Sequence, residues 1–390
     1  MRPLFVGVLA FAIALAGCGK RNKDDVEQPT PLAPIEESLR ITKLWDAKLG
    51  GDAETLRLGL SPATDGTLIY AAAHDGRVTA YDAQTGAQQW RTDLKLPLAA
   101  GPGYGDELLV VGGTDGSIAA LSARDGSIRW SRNLSAEILA RPLIASNRVY
   151  VRTVDGHVRA LDAGSGNDGW NIQREVPRLS LRGNSTPVIS GSHLIVGFDD
   201  GKVTSFDLQS GDQGWESVVT PQHGRTEIER LSDIDADLRL VGNELYVAGF
   251  QSRVVKLLAD SGQEQWSADI SSFEGLGVDW VHVYITDDKS EVVALDRASG
   301  ATVWRQSALR LRSVTGPTPH GQAVVVGDYE GYLHWLAIDD GRLLARVHAD
   351  GGAISNPPLV VGEAVYVQTD GGVLSAYALK GGSEQGQSKL

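Results

Sequence analysis

Between residues 140 and 173, apolar and polar positions alternate in short runs broken by turn residues. Arg141, Pro142, Leu143 and Ile144 open a first strand, and Arg148, Val149, Tyr150, Val151 and Arg152 form a second with period-two character. Asp155 and Gly156 then turn the chain, a pair suited to a two-residue hairpin whose central positions need positive φ. His157 to Asp162 is the third strand. After a turn at Gly164 to Gly166, Asn167 to Ile172 runs back as the outermost strand and carries Trp170. Four short antiparallel strands of this kind make one blade of a propeller.

The unit repeats. Hairpins of the same type fall at Asp75/Gly76, Asp115/Gly116, Asp200/Gly201, Glu330/Gly331 and Asp370/Gly371, with degenerate ones near Ser252/Arg253 and Lys289/Ser290. With Asp155/Gly156 that predicts eight blades. A Trp also follows a Gly by four residues at Gly86/Trp90, Gly126/Trp130, Gly166/Trp170, Gly211/Trp215, Gly262/Trp266 and Gly300/Trp304. The Trp positions are 40, 40, 45, 51 and 38 residues apart, the period of a four-stranded blade. After the last hairpin only Val373 to Leu379 remains, without a Trp-bearing outer strand, while Ile41 to Trp45 precedes the first blade as a strand without a sheet. Pairing the two closes the ring and removes an exposed edge. The expected fold is therefore all-β: an eight-bladed β-propeller of four-stranded antiparallel blades over residues 39–380, its ring closed by an N-terminal strand. The seven outer-strand Trp, Trp45 included, are expected to cover the neighbouring blade's turn and donate their indole N–H to a backbone carbonyl. The seventh blade has Ala345 in that position, which predicts a weaker seam or one filled by Leu344; Trp280 and Trp335 fall outside the register.

The chain ends change the picture of where such a ring resides. Residues 1–17 combine Arg2, an apolar run from Leu4 to Ala16 and small residues, the pattern of a secretory signal peptide, and the run is too short to span a bilayer. Leu15, Ala16, Gly17 and Cys18 resemble the lipobox of bacterial lipoproteins, which implies acylation of Cys18, the sole cysteine. A body without cysteine fits export to an oxidising compartment without disulfides. By the same resemblance, Gly19 in place of an acidic residue favours the outer membrane, facing the periplasm. Residues 18–38, polar and containing Pro29, Pro31 and Pro34, are expected to form a lipidated flexible tether, and residues 381–390 a disordered tail. The formal charge of −13 argues against nucleic acid or anionic lipid as a partner of the protein surface.

The repeat resembles that of pyrroloquinoline-quinone enzymes, as in Ala80, Tyr81, Asp82 through Thr85 and Gly86 to Trp90. Quinoprotein dehydrogenases of that kind carry a vicinal cysteine pair and a calcium site, and no cysteine is left here after Cys18. The recurring Asp82, Asp162, Asp207 and Asp296 occupy one blade position and read as turn-capping residues. The eight His are scattered without metal-ligand spacing, Gly101, Gly103 and Gly105 lack the spacing of a dinucleotide loop, and no GxSxG elbow occurs. No catalysis, cofactor or metal is expected. A small molecule, glycan or quinone in the central channel remains the alternative reading.

Insertions in a regular repeat map to loops on one face, often the binding face. The two longest Trp intervals place insertions between blades three and four and between blades four and five, so the loops should touch and form one surface. The first carries Leu179, Leu181 and Arg182; the second carries Asp233 and Asp235. Apolar anchors with a charged rim suit protein binding, and two loops packed on each other with Arg182 paired internally to an aspartate is the other reading. The lipobox, the eight repeats and the stretches Leu179, Ser180, Leu181, Arg182, Gly183 and Thr226 to Asp233 closely resemble the BamB family of lipoproteins. That resemblance implies a non-catalytic scaffold of the outer-membrane β-barrel assembly (BAM) complex. It further implies that Leu179, Leu181, Arg182, Asp233 and Asp235 engage the POTRA domains of BamA. The other BAM lipoproteins, and unfolded outer-membrane protein substrates, would be further partners.

Overall fold

A computed structural model describes residues 27–51, 58–180, 183, 185–221 and 233–379. Those residues form eight four-stranded antiparallel sheets and no helix. Each sheet is a meander in chain order, with the innermost strand first. Blade three, for example, is Leu143–Ala145, Arg148–Arg152, His157–Asp162 and Asp168–Gln173. The blades end in the outer strands Gln88–Asp93, Ile128–Asn133, Asp168–Gln173, Gln213–Val218, Glu264–Ala268, Thr302–Gln306 and Leu343–His348. The eighth is assembled from both ends of the chain. Leu359–Val361, Ala364–Gln368 and Val373–Leu379 are completed by Ile41–Lys48, which pairs antiparallel from Ile41 opposite Leu379 to Lys48 opposite Val373. The ring is closed as the sequence predicts.

The core is divided among the seams. Eight hydrophobic clusters lie one between each pair of adjacent blades, from Leu98, Leu109 and Leu121 with Tyr70 in the first to Tyr366 and Leu374 with Ile69 in the last. Second and third strands are buried on both faces, whereas the outer strands alternate, as in Gln88–Asp93. The period-two character read in Arg148–Arg152 is therefore not an alternation of burial, since Val149 to Arg152 are all buried.

Each seam but one is fastened in the same way. The indole N–H of Trp45, Trp90, Trp130, Trp170, Trp215, Trp266 and Trp304 donates to a carbonyl in the turn of the next blade, at 2.8–3.1 Å. The indole lies flat over that turn's glycine. A Cβ on Gly211 would stand 2.8 Å from Trp170 Cδ2, and one on Gly166 2.7 Å from Trp130 Cδ2, both at positive φ. The exception is explained by closure. In blade eight the outer strand comes from the other end of the chain, so no turn joins it to Val373–Leu379 and there is nothing for a blade-seven Trp to cover. Ala345 and Leu344 are buried there, with Leu39 and Ile41 packed against the same cluster.

The N-terminal segment departs from the flexible tether expected over residues 18–38. Residues 27–38 lie along blades six and seven: Thr30 N–H donates to the Arg310 carbonyl at 3.0 Å, and Ser38 and Leu39 N–H donate to the Leu344 carbonyl at 2.9 and 3.2 Å. Leu32 is packed against the seam between these blades. The prolines that suggested a spacer favour an extended chain without internal hydrogen bonds, so the N–H and carbonyl groups that remain are free to pair with the surface it lies on. The signal peptide, Cys18 and the tail at 381–390 lie outside the described residues.

Candidate functional site

The connections between blades run over one face, and two are long: residues 174–187 from blade three to four and 219–238 from blade four to five. The structure brings them together. Thr186 N–H donates to Asp237 Oδ1 at 2.8 Å, and a Cβ on Gly183 would sit 3.1 Å from Asp235 Cγ. Ile234, fully buried, wedges against Gly197 of blade four, and its N–H reaches the Phe198 carbonyl at 3.4 Å. The second loop is thereby fixed to blade four, close to where the first loop enters it.

The five residues expected to bind a partner fall in different settings. Leu179, in the first loop, is 42% exposed, an apolar side chain held in solvent. Asp235 is half-buried at the junction of the loops. Asp233 is only 1% exposed, and its carbonyl accepts the Phe250 N–H at 3.1 Å, so it supports the loop from beneath. Leu181 and Arg182 lie outside the described residues.

The loop junction opens into the central channel, a cavity of about 990 Å³ walled by the innermost strands. Gly183, Thr186, Asp235 and Asp237 line it together with Arg141 and Arg239. Burial pushes the Asp237 carboxyl up, but Arg141, whose Nη2 is 3.9 Å away, and Arg239 outweigh it and hold it below the ordinary carboxylate range. Arg239 is in turn oriented by its Nε, which donates to the Leu276 carbonyl at 2.9 Å. Asp237 thus fastens the first loop through Thr186 while staying charged between two guanidinium groups. Asp237 is not among the residues expected from the sequence, although the three acids at 233, 235 and 237 share a period of two.

Chemistry elsewhere on the ring is structural. The Oδ1 atoms of Asp82, Asp162 and Asp296 accept the N–H and hydroxyl of Thr85, Ser165 and Ser299, and Asp207 accepts the N–H groups of Gln209 and Ser210. These bonds hold all four carboxyls below their ordinary values. They are turn caps, as their repetition suggests. Among the described residues no group of His, Asp and Glu is placed to hold a metal ion.

The chain matches the family model described as outer membrane protein assembly factor BamB over residues 74–306 and 288–385. It is 42% identical to the outer membrane protein assembly factor BamB of Pseudomonas aeruginosa over 373 residues, covering 96% of this chain and 98% of that one. With the protein of the same name from Alkalilimnicola ehrlichii it shares 45% identity over 371 residues, 95% of this chain and 96% of that one. The crystal structure of BamB from Moraxella catarrhalis superposes with a TM-score of 0.80 at 27% identity, covering 87% of this chain and all of that one. With a family model spanning most of the ring and full-length relatives well above 30% identity, the chain belongs to the outer membrane protein assembly factor BamB family.

Proposed function

We propose that this chain is a scaffold that holds the POTRA domains of BamA on the paired loops of blades three to five. Family membership places it among the components that assemble outer-membrane proteins, acting at the outer membrane without catalysis. The finer reading rests on one observation: the two longest inter-blade loops are fastened together by the Thr186 to Asp237 hydrogen bond, and an exposed Leu179 stands beside them. An apolar side chain held in solvent beside a charged rim can serve as an anchor that a partner's pocket desolvates. In this reading Leu179 and Leu181 enter a pocket on the partner, Arg182 and Asp235 form the charged rim, and Asp233 keeps the second loop in place. Cys18 carries the lipid that keeps the ring at the membrane.

Co-purification of the chain with the periplasmic part of BamA tests this. Leu179→Asp, Arg182→Glu and Asp235→Lys should each weaken binding by about tenfold or more while circular dichroism is unchanged, a loss of about 1.4 kcal/mol or more. Asp233→Lys is a poorer probe, because burying an ammonium there disturbs the loop itself. Failure of the wild type to bind removes the BamA assignment. Equal binding by all variants keeps the partner and moves the site.

A further inference from the structure

Three arginines, Arg310 and Arg312 in the connection from blade six to blade seven and Arg346 on the outer strand of blade seven, grip the segment that precedes the closing strand. Arg310 Nε donates to Glu27 Oε1 at 2.9 Å, while its own carbonyl accepts the Thr30 N–H. Arg312 Nη1 donates to the Thr30 carbonyl at 3.2 Å, and Arg346 Nη1 to the Ala33 carbonyl at 2.9 Å. Chemical matching explains the choice of residues. Pro29, Pro31 and Pro34 leave residues 29–34 with half their N–H groups missing but every carbonyl present, and guanidinium groups are donors only.

The grip is built from inside the seam. Arg312 is 2% exposed and bonds the fully buried Asp328 at 2.8 Å and also Glu330. Asp328 takes a second bond from His334 Nε2 at 3.0 Å, and His334 Nδ1 accepts from Arg346 Nε at 3.2 Å. Two of the three guanidinium groups are thus aimed by one buried carboxylate, which fixes their direction before the segment arrives. Between the polar contacts Leu32 packs with Trp304, Leu309 and Leu343, and further along Leu39 and Ile41 fill the seam that lacks a Trp.

We propose that this arginine clamp ties the lipid tether to the rim of blades six and seven. The anchor then holds that rim beside the membrane and leaves the paired loops of blades three to five a quarter-turn or more round the ring, facing the periplasm. The proposal rests on lipidation of Cys18. With the clamp closed, the chain from Cys18 to Glu27 spans at most about 30 Å, against about 75 Å from Cys18 to Ile41 if the segment were free. The clamp therefore sets both the height of the ring above the membrane and its rotation.

The test uses the full lipidated chain on phosphatidylethanolamine and phosphatidylglycerol vesicles, comparing wild type with Arg310→Ala/Arg346→Ala, which keeps the buried Arg312 and Asp328 pair. Hydrogen exchange should show a protected Thr30 amide in the wild type and at least about a tenfold loss of protection in the variant, with blade amides unchanged. Because Cys18, the sole cysteine, is consumed by the lipid, a dye can be placed at Asp339→Cys on blade seven or Gly164→Cys on blade three. A headgroup-bound quencher should quench position 339 more strongly than 164, and the double variant should abolish the difference. A freely exchanging Thr30 amide in the wild type overturns the clamp, and equal quenching in the wild type overturns the orientation. If the wild type does not float with the vesicles, the anchor falls and the orientation with it, while the Thr30 amide still decides the clamp.

Discussion

Each seam glycine is held between two demands. Gly211 sits at φ +77° because the turn requires it, and Trp170 lies where its Cβ would be. Gly211→Ala should therefore combine backbone strain with overpacking and lower stability by about 2–4 kcal/mol in urea unfolding, where an exposed turn glycine would lose less. Trp130→Ala should cost about 3–5 kcal/mol, since it removes buried area and leaves the Ala163 carbonyl without its donor. The two buried histidines set a pH dependence. Burial pushes both His334 and His320 down from 6.5, and each accepts a hydrogen bond on Nδ1, from Arg346 and Trp335 respectively, which fixes the neutral ring with its proton on Nε2. Below pH 6.5 the unfolded chain takes up protons that the folded chain refuses, so stability falls as pH drops through that value. His334→Gln should flatten the fall between pH 6.5 and 5, measured as urea midpoints against pH. The Gly and Trp spacing was legible in the sequence because six of the eight blades repeat it. The His334 and Asp328 network was not, because its members come from one blade only and meet through packing.

At the scale of the element, the missing Trp of blade seven and the borrowed strand of blade eight are one fact. A chain that closes its ring with its own N-terminus has one turn fewer than it has outer strands, so one indole has no turn to cover. Ala345→Trp should then fail to stabilise the ring. It should lower the urea midpoint by displacing Leu39 and Ile41, at a cost of about 1–3 kcal/mol. Removing residues 41–48 should expose the free edge of Val373–Leu379 and yield aggregated protein on size exclusion, whereas a chain starting at residue 27 should stay monomeric and folded. Hairpin positions were readable from Asp-Gly pairs and alternation, and Val373–Leu379 was read to the residue. The docking of residues 27–38 was not, because a proline-rich polar segment has no periodicity of its own and takes its conformation from the donors beside it.

For the whole molecule, the proposed binding face lies apart from the parts that carry stability. The seams carry the fold, while the loops of residues 174–187 and 219–238 add one face; if that face is the BamA site, Leu179→Asp should lose BamA binding with its urea midpoint unchanged within about 0.5 kcal/mol. Trp280, 91% exposed and outside the Trp register, likewise does nothing for the seams, and Trp280→Ala should leave the midpoint unchanged. The sequence by itself determined the number of blades, the strand order, the closing strand and the two loops that break the period. Each of these follows from local chemistry, the turn residue and the alternation, repeated at a spacing that only one closed architecture satisfies. Only the tertiary structure decided that Asp233 is buried while Leu179 stands exposed, that Asp237 is the fastening acid, and that three arginines hold residues 27–33 at the seam of blades six and seven. Those outcomes depend on which side chains from distant parts of the chain share a dielectric environment and a donor or acceptor. Spacing along one strand does not encode that.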